Sequence, residues 1–185
     1  MKNLKYHNKH QGFTLIELLV SFAILTTGVS AAMGLIAQSL KSSTYIKNEL
    51  IASYIAVEGI ELVRNHRDNN SLKGSNWISG LNNCENNDGC TVNPIDGKIS
   101  SCGSKCDPLN YETDINSVLY GMYNHEGKTS TNAATIFTRK ITISKDGDFP
   151  NAGEREIVSE VRWNDRYGAH DFTLRNHIFD WIESN

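Results

Sequence analysis

The sequence predicts an α+β protein in which one long N-terminal helix packs by its C-terminal half on an antiparallel β-sheet. Residues 13–40 form an apolar block, and a helical apolar stripe comes after it. Residues 136–185 contain three runs of period two, which is the pattern of half-buried strands. Between them, residues 69–135 are polar, turn-rich and hold all four cysteines. We therefore expect that this insertion, which lies between the helix and the sheet in the sequence, is cross-linked by disulfides.

Length and charge limit the classes of protein that fit. The chain has 185 residues, enough for one ordinary domain and an appendage. The formal net charge is −3, so no basic field indicates a nucleic-acid partner. We expect five segments: an N-terminal leader at 1–12, a spanning helix at 13–40, its continuation into a head at 41–68, the insertion at 69–135, and the sheet at 136–185.

The N-terminal segment is predicted to cross a membrane once. Lys2, Lys5 and Lys9 precede the apolar block without an acidic residue, and nothing from Leu18 to Leu40 is charged. This run exceeds the roughly 20 residues that a bilayer core requires. Lysines before a span favour a cytoplasmic N-terminus, so the head is expected outside the cytoplasm.

Two simpler interpretations of this segment are a Sec signal peptide, cut near Ala31 and Ala32, and a plain signal anchor. The apolar run is longer than the usual signal-peptide core of about 7–15 residues. Neither interpretation explains Glu17, because a carboxylate in a hydrocarbon core costs roughly 2.5–3.5 kcal/mol and indicates a function. A positive partner would offset that cost. Cleavage between Gly12 and Phe13 would create a free amine one helical turn from Glu17.

The stretch from Gly12 to Val20, GFTLIELLV, resembles the class III signal of type IV prepilins and pseudopilins. The resemblance implies the type IV pilin fold and cleavage after Gly12 by a membrane prepilin peptidase, which N-methylates Phe13. It also implies that Glu17 neutralises the Phe13 amine of an adjacent subunit during filament assembly. The implied partners are the prepilin peptidase, other pilin subunits and, before assembly, the bacterial inner membrane. The implied final location is a cell-surface pilus or a periplasmic pseudopilus, with no cofactor and no enzymatic activity.

Within that family the sequence favours a minor pilin. Many major pilins have a kinking proline where this chain has Gly34, and the cysteine-bearing insertion is long. The pattern from Ala52 to Arg67 is also similar to the segment after the spanning helix in several minor pilins. The alternatives are a minor pseudopilin of a type II secretion system, a DNA-uptake or adhesive tip pilin, and a membrane-anchored envelope protein with another role.

The helix is expected to continue beyond the membrane as far as Asp68. One face carries apolar or small side chains at helical spacing, which are Ala52, Ile55, Ala56, Gly59, Leu62 and Val63. Gly59 within this stripe indicates a close approach of the sheet, and the alternative is a surface glycine without a packing role. Arg64 and Asp68 are spaced for an ion pair, and residues 69–71, Asn-Asn-Ser, are expected to end the helix.

The three period-two runs predict an antiparallel sheet that covers the helix stripe. The apolar members are Phe137, Ile141 and Ile143 in the first run, Ile157, Val161 and Trp163 in the second, and Phe172, Leu174 and Ile178 in the third. Arg139 is the one exception, because it stands at an apolar position of the first run. Loops with a short helix or strand are expected between residues 69 and 135.

Cys84, Cys90, Cys102 and Cys106 are expected to form two disulfides, because their number is even and the head is expected outside the cytoplasm. Three connectivities are possible, and nested or sequential pairing is favoured over crossed pairing. A four-cysteine zinc site is the alternative, although gaps of five and three residues are not the usual knuckle spacing.

Acidic residues at Asp146, Asp148 and Glu154 are weak candidates for a calcium site, and solvated turns are the favoured interpretation. The sequence contains no HExxH, GxSxG, P-loop or GxGxxG pattern. No metal site and no catalytic residue is therefore predicted.

Overall fold

A computed structural model describes residues 12–125, 131–145 and 153–181 of the chain. Helix α1 spans Leu15–Leu72, and a single 3-10 turn comes after it at Asn82–Cys84. The strands are β1 (Cys90–Val92), β2 (Ile99–Ser101), β3 (Asn110–Glu112), β4 (Tyr123–Asn124), β5 (Asn132–Ala134), β6 (Phe137–Ile143), β7 (Glu154–Asp165) and β8 (Gly168–Phe179). One long helix and antiparallel sheets confirm the predicted α+β class.

The predicted end of the helix at Asp68 is wrong, since residues 69–72 continue α1. Gly74 has φ +68° and donates its N–H to the carbonyl of Ser71, while Ser75 donates to the carbonyl of Asn70. These two bonds form a Schellman cap, which satisfies carbonyls that the helix end leaves free. The Asn70 side chain, expected to break the helix, instead donates to the carbonyls of Trp77 and Ser79.

The chain divides into two compact units, residues 1–45 and residues 46–185. In the first unit the described residues are helical from Leu15, and nearly every side chain is exposed. In the second unit, here called the head, residues of α1 pack on a five-stranded antiparallel sheet of order β2-β1-β6-β7-β8. A smaller antiparallel sheet has the order β4-β3-β5.

The buried face of the head helix agrees with the predicted stripe except at two positions, Ile60 and Leu62. Ala52, Ile55, Ala56, Gly59 and Val63 are buried, and so is Ile60, while Leu62 is half-buried. The predicted pair of Arg64 with Asp68 is wrong. Arg64 instead contacts Glu61 at 2.7 Å, and Asp68 accepts hydrogen bonds from Arg67 and from the indole of Trp181.

The three predicted strands are β6, β7 and β8, and their inward positions are those expected. Burial alternates along all seven residues of β6 and most of β7. The insertion contains more strand than the expected loops with a short helix or strand, because its described residues form five short strands. Two of them, β1 and β2, extend the main sheet, with Cys90 opposite Ile141 of β6. Strands of three residues are too short to show a period in the sequence.

Gly59 lies where the head helix comes closest to the sheet. A Cβ at this position would be 2.7 Å from Ser159 Oγ and 2.9 Å from Arg139 Cδ. Both side chains are fully buried, so neither has free space into which it can move. The predicted close approach of the sheet is therefore present in the structure.

We expect Gly59→Ala to lower the free energy of unfolding by about 1–3 kcal/mol, because overpacking outweighs the better helix propensity of Ala. All three Trp residues belong to the head, so their fluorescence during urea unfolding of the detergent-solubilised chain measures head stability. Gly34→Ala is the matched control, since a Cβ at Gly34 has no neighbour within 4 Å. Equal stability of the Gly59→Ala variant and the parent would contradict the close approach.

Candidate functional site

The helix begins within the stretch from Gly12 to Val20 that resembles a prepilin signal. Gly12, Phe13 and Thr14 precede the first helical residue, Leu15, and Phe13 is 81% exposed. The Thr14 hydroxyl accepts a hydrogen bond from the backbone N–H of Glu17 at 3.4 Å. A Thr before the helix with a Glu three residues later is the spacing of a capping box. Thr14 and Glu17 thus have a local role in starting the helix.

None of the described residues covers the apolar part of α1. Its large apolar side chains from Leu15 to Leu40 are 45–78% exposed. An 18-residue window of the helix has a mean hydropathy of 2.0, which makes α1 long and apolar enough to cross a membrane by length and composition. Exposure of this much apolar surface marks a membrane or protein contact.

Three hydroxyl groups within the apolar helix donate hydrogen bonds to carbonyls of the helix itself. Thr26 and Thr27 donate to carbonyls one turn earlier, and Ser30 donates to the carbonyl of Thr26 at 2.8 Å. An unpaired hydroxyl is costly in an apolar environment. The helix can therefore be surrounded by lipid or by other apolar helices without leaving these hydroxyls unpaired.

Comparison with protein-family models matches residues 7–33 to the prokaryotic N-terminal methylation motif. This motif is the class III signal of type IV pilins and pseudopilins, so the predicted resemblance is confirmed. The motif indicates a pilin-like structural subunit, a class whose members are not typically enzymes, and the α+β architecture is consistent with the type IV pilin fold. Comparisons with curated proteins and with solved structures found no match.

An ion pair that was not predicted from the sequence connects the helix to the sheet of the head. Arg139 of β6 is fully buried, and its Nη1 lies 2.6 Å from Oε2 of Glu58, whose side chain is 35% exposed. The same guanidinium donates to the carbonyls of Ile55 at 3.2 Å and of Val92 at 2.8 Å. The signal was present in the sequence, because Arg139 interrupts the apolar face of its strand. The pair joins α1, β1 and β6 at one point.

The charge of Arg139 acts on His125, a partly buried histidine that follows β4. Burial, which is the largest cause, and the positive charge of Arg139 lower the pKa of His125 to about 4, although the charge of Asp107 acts to raise it. Its backbone N–H donates to the side chain of Asn93. The folded head therefore favours the neutral form of His125.

The pKa of His125 predicts that the head loses stability in mild acid. Its folded-state pKa is below the usual 6.5, so the unfolded chain binds more protons between these values and the stability falls as the pH falls through this window. We expect a loss of about 2 kcal/mol from pH 7 to pH 5 that disappears in His125→Gln. His66→Gln is the control, because the His66 ring contacts the carbonyl of Ser79 in another part of the head. The free energy of unfolding of each variant is measured with urea at pH 7 and at pH 5. A loss of stability between these pH values that is as large in His125→Gln as in the parent would contradict this role of His125.

The four cysteines form two sequential disulfides, Cys84 to Cys90 and Cys102 to Cys106. Sulfurs joined in this way are not thiolates, so the alternative of a four-cysteine zinc site does not fit. Cys84 and Cys90 are fully buried in the larger core cluster. The first disulfide anchors the 3-10 turn to β1, and β1 pairs with β6. It thereby attaches the insertion to the main sheet.

A surface groove of about 770 Å³ lies in the head beside the loop that the second disulfide closes. Three basic side chains line it (Lys105, Lys140 and Arg162), and so do three acidic ones (Asp88, Glu160 and Asp171). This balance of charge provides no basic track for a phosphate backbone. Among the described residues, no group of three or more His, Cys, Asp or Glu is placed to hold a metal ion. Asp146 and Asp148 lie outside the described residues, and Glu154 contacts the ring of His177 at 2.9 Å.

Proposed function

We propose that the protein is a minor pilin, a structural subunit of a type IV pilus or a related filament. In this proposal a prepilin peptidase removes residues 1–12 and N-methylates Phe13. The subunit is then held in the bacterial inner membrane, with a cytoplasmic N-terminus, until it assembles into the filament. The observation that carries the proposal is the methylation motif at the start of an apolar helix that the chain leaves uncovered.

The position of Glu17 supports a role in assembly. It is the acidic residue in the first turn of α1, and its neighbours Ile16 and Leu18 are apolar and exposed. Local capping offsets only part of its cost in an apolar environment, since a cap contributes about 1 kcal/mol and burial of the charge costs roughly 2.5–3.5 kcal/mol. An amine on Phe13 of a neighbouring subunit supplies the missing positive charge. Such a pair also sets the stagger between adjacent helices.

The head helix has a second apolar surface that suits packing between subunits. Ile46, Leu50, Tyr54 and Val57 are 46–69% exposed. At 100° per residue they lie on the side of the helix opposite its buried stripe. A helix that is apolar on two sides packs on its own head with one side and on neighbouring helices with the other. In the proposed minor pilin, assembly uses both of these apolar sides of the helix.

The experiment that tests this proposal is intact mass measurement of the N-terminus of the protein isolated from native envelopes. We expect a chain that begins at Phe13 and carries one added methyl group. Sheared filaments should contain the protein at a low ratio to the major subunit. An intact Met1, or a new N-terminus near Ala31 and Ala32, would overturn the proposal in favour of an anchored or secreted envelope protein.

A further inference from the structure

The two disulfides of the head differ in how far they are shielded from solvent. Cys84 and Cys90 are both fully buried and belong to the larger core cluster. Cys102 is only half-buried, Cys106 is 5% exposed, and neither belongs to a core cluster of the described residues. Thiol–disulfide exchange begins with attack of a thiolate on one sulfur, so its rate depends on access to that sulfur. The second disulfide offers such access in the folded head.

The second disulfide closes a short loop, residues 102–106, whose three middle residues are exposed. Two of its backbone amides bond locally. Gly103 donates to Oγ of Ser101 at 3.4 Å, and Lys105 donates to the carbonyl of Cys102 at 3.2 Å. The loop lies outside the strands and outside both core clusters. Exchange at this disulfide therefore does not require the head to unfold.

The first disulfide is protected by the main sheet. Cys90 belongs to β1 and lies opposite Ile141 of β6, while Cys84 ends the 3-10 turn. All three side chains are fully buried in the same core cluster. A thiolate reaches these sulfurs only when this part of the core opens, and such openings have a free energy close to that of global unfolding. The two disulfides should therefore react by different routes.

The loop of the second disulfide forms one wall of the surface groove, through residues 103–106. The chain on either side of this wall is held by backbone hydrogen bonds. Cys102 donates to the carbonyl of Gly89 at 3.0 Å, and Leu109 donates to the carbonyl of Phe137 at 2.8 Å. Between these two anchors, the disulfide ties Cys106 to Cys102. Its reduction gives residues 103–108 more freedom and loosens the wall of the groove.

We propose that the Cys102–Cys106 disulfide is a site of reversible thiol–disulfide exchange with a dithiol, and that its redox state controls the groove wall. One thiolate of the dithiol attacks Sγ of Cys102, the more exposed cysteine, and forms a mixed disulfide. The bond to Sγ of Cys106 breaks, and this sulfur leaves as a thiolate and takes up a proton. The second thiol of the dithiol, as a thiolate, then displaces Sγ of Cys102, which is protonated in turn.

Two electrons thus pass from the dithiol, which becomes a disulfide, to the cysteine pair. Reoxidation closes the same bridge, because the two cysteines stay within one short loop. This site goes beyond the proposed function and does not rest on it.

Reduction of the full-length chain in detergent by dithiothreitol, quenched with iodoacetamide and followed by mass spectrometry, tests the exchange. Trypsin cuts after Lys98 and Lys105, so the two cysteines of the second disulfide fall on separate peptides, and those of the first share a third. We expect the second disulfide to be reduced at least about tenfold faster than the first. Urea below the unfolding transition should accelerate only the first. Glutathione in place of the dithiol should be found on Cys102, with the alkyl group on Cys106.

Amide hydrogen exchange tests the effect on the groove wall. After selective reduction of the second disulfide, we expect the amides of residues 103–107 to exchange about tenfold faster, while those of β6 and β7 keep their rates. The double variant Cys102→Ser with Cys106→Ser lacks the bridge without any reductant and should show the same change. The reduced parent chain decides the question if this variant does not fold.

Three results would overturn the proposal. Equal rates and equal urea dependence at the two disulfides would show that exchange requires unfolding, and no reduction of the second disulfide without urea would show that it is not an exchange site. Unchanged amide exchange at residues 103–107 after reduction would show that the bridge does not control the groove wall. None of these results depends on the N-terminal mass, so failure of this proposal and failure of the pilin assignment are distinguishable.

Discussion

Glu58→Gln is expected to lower the free energy of unfolding of the head by about 3–5 kcal/mol, the usual cost of leaving one member of a buried ion pair without its counter-charge. Arg139 is fully buried, and burial already lowers the pKa of its guanidinium while Glu58 acts to raise it. Removal of the carboxylate charge leaves the arginine with neutral carbonyl acceptors only. The amide of Gln preserves the size of the side chain, so the variant isolates the loss of charge.

Substitution of the other member of the pair, Arg139, is expected to lower the free energy of unfolding by a smaller amount. Arg139→Met removes the buried charge and leaves Glu58, which is 35% exposed and can be hydrated. The cost is then about 1–2 kcal/mol for the carbonyls of Ile55 and Val92, which lose a donor. The two substitutions differ in cost because of burial. Glu58→Gln leaves a buried charge without its counter-charge, whereas Arg139→Met leaves a carboxylate that water can reach.

Urea unfolding followed by Trp fluorescence measures both variants and their double mutant. Glu61→Gln is the matched control on the same helix, since Glu61 forms a surface pair with Arg64 and its loss should cost at most about 1 kcal/mol. If Arg139→Met were the more damaging change, packing and hydrogen bonding of the arginine would dominate and the charge pairing would be secondary.

This ion pair also shows which parts of the fold the sequence could predict. Strands β6, β7 and β8 were predictable because each is long enough to show period two. Arg139 was visible as an exception to that period, but its partner Glu58 is 81 residues away and no local pattern identifies it. Strands β1 and β2 were missed because three residues show no period, and their place depends on pairing with β6.

The candidate site at the N-terminus was predictable because its residues are neighbours in the sequence. Gly12, Phe13 and Glu17 lie within six consecutive positions, and both the matched motif and the start of the helix are local to that stretch. The place of β8 at one edge of the described sheet was not predictable, since the neighbours of a strand are known only once the order of the sheet is known. A site whose residues are consecutive can thus be predicted from the sequence, whereas a surface that depends on the order of the strands cannot.

Glu17→Gln is expected to reduce incorporation of the subunit into filaments by at least about 100-fold without reducing its insertion into the membrane. The loss of the carboxylate would leave the neighbouring Phe13 amine uncompensated in an apolar core, at a cost of roughly 2.5–3.5 kcal/mol, and about 2.7 kcal/mol corresponds to 100-fold. A neutral Gln enters the bilayer more readily than a carboxylate. Membrane insertion and filament assembly therefore respond in opposite directions, which a plain signal anchor does not predict.

The matched control for this prediction is Thr14→Ala, which removes the hydroxyl that accepts the N–H of Glu17. Loss of this cap destabilises the start of the helix by about 1 kcal/mol but leaves the carboxylate in place. The measurement is the ratio of subunit in sheared filaments to subunit in the membrane fraction. Equal losses in the two variants would mean that Glu17 acts only through helix capping. A large loss confined to Glu17→Gln would support pairing between subunits, because only that variant removes the charge.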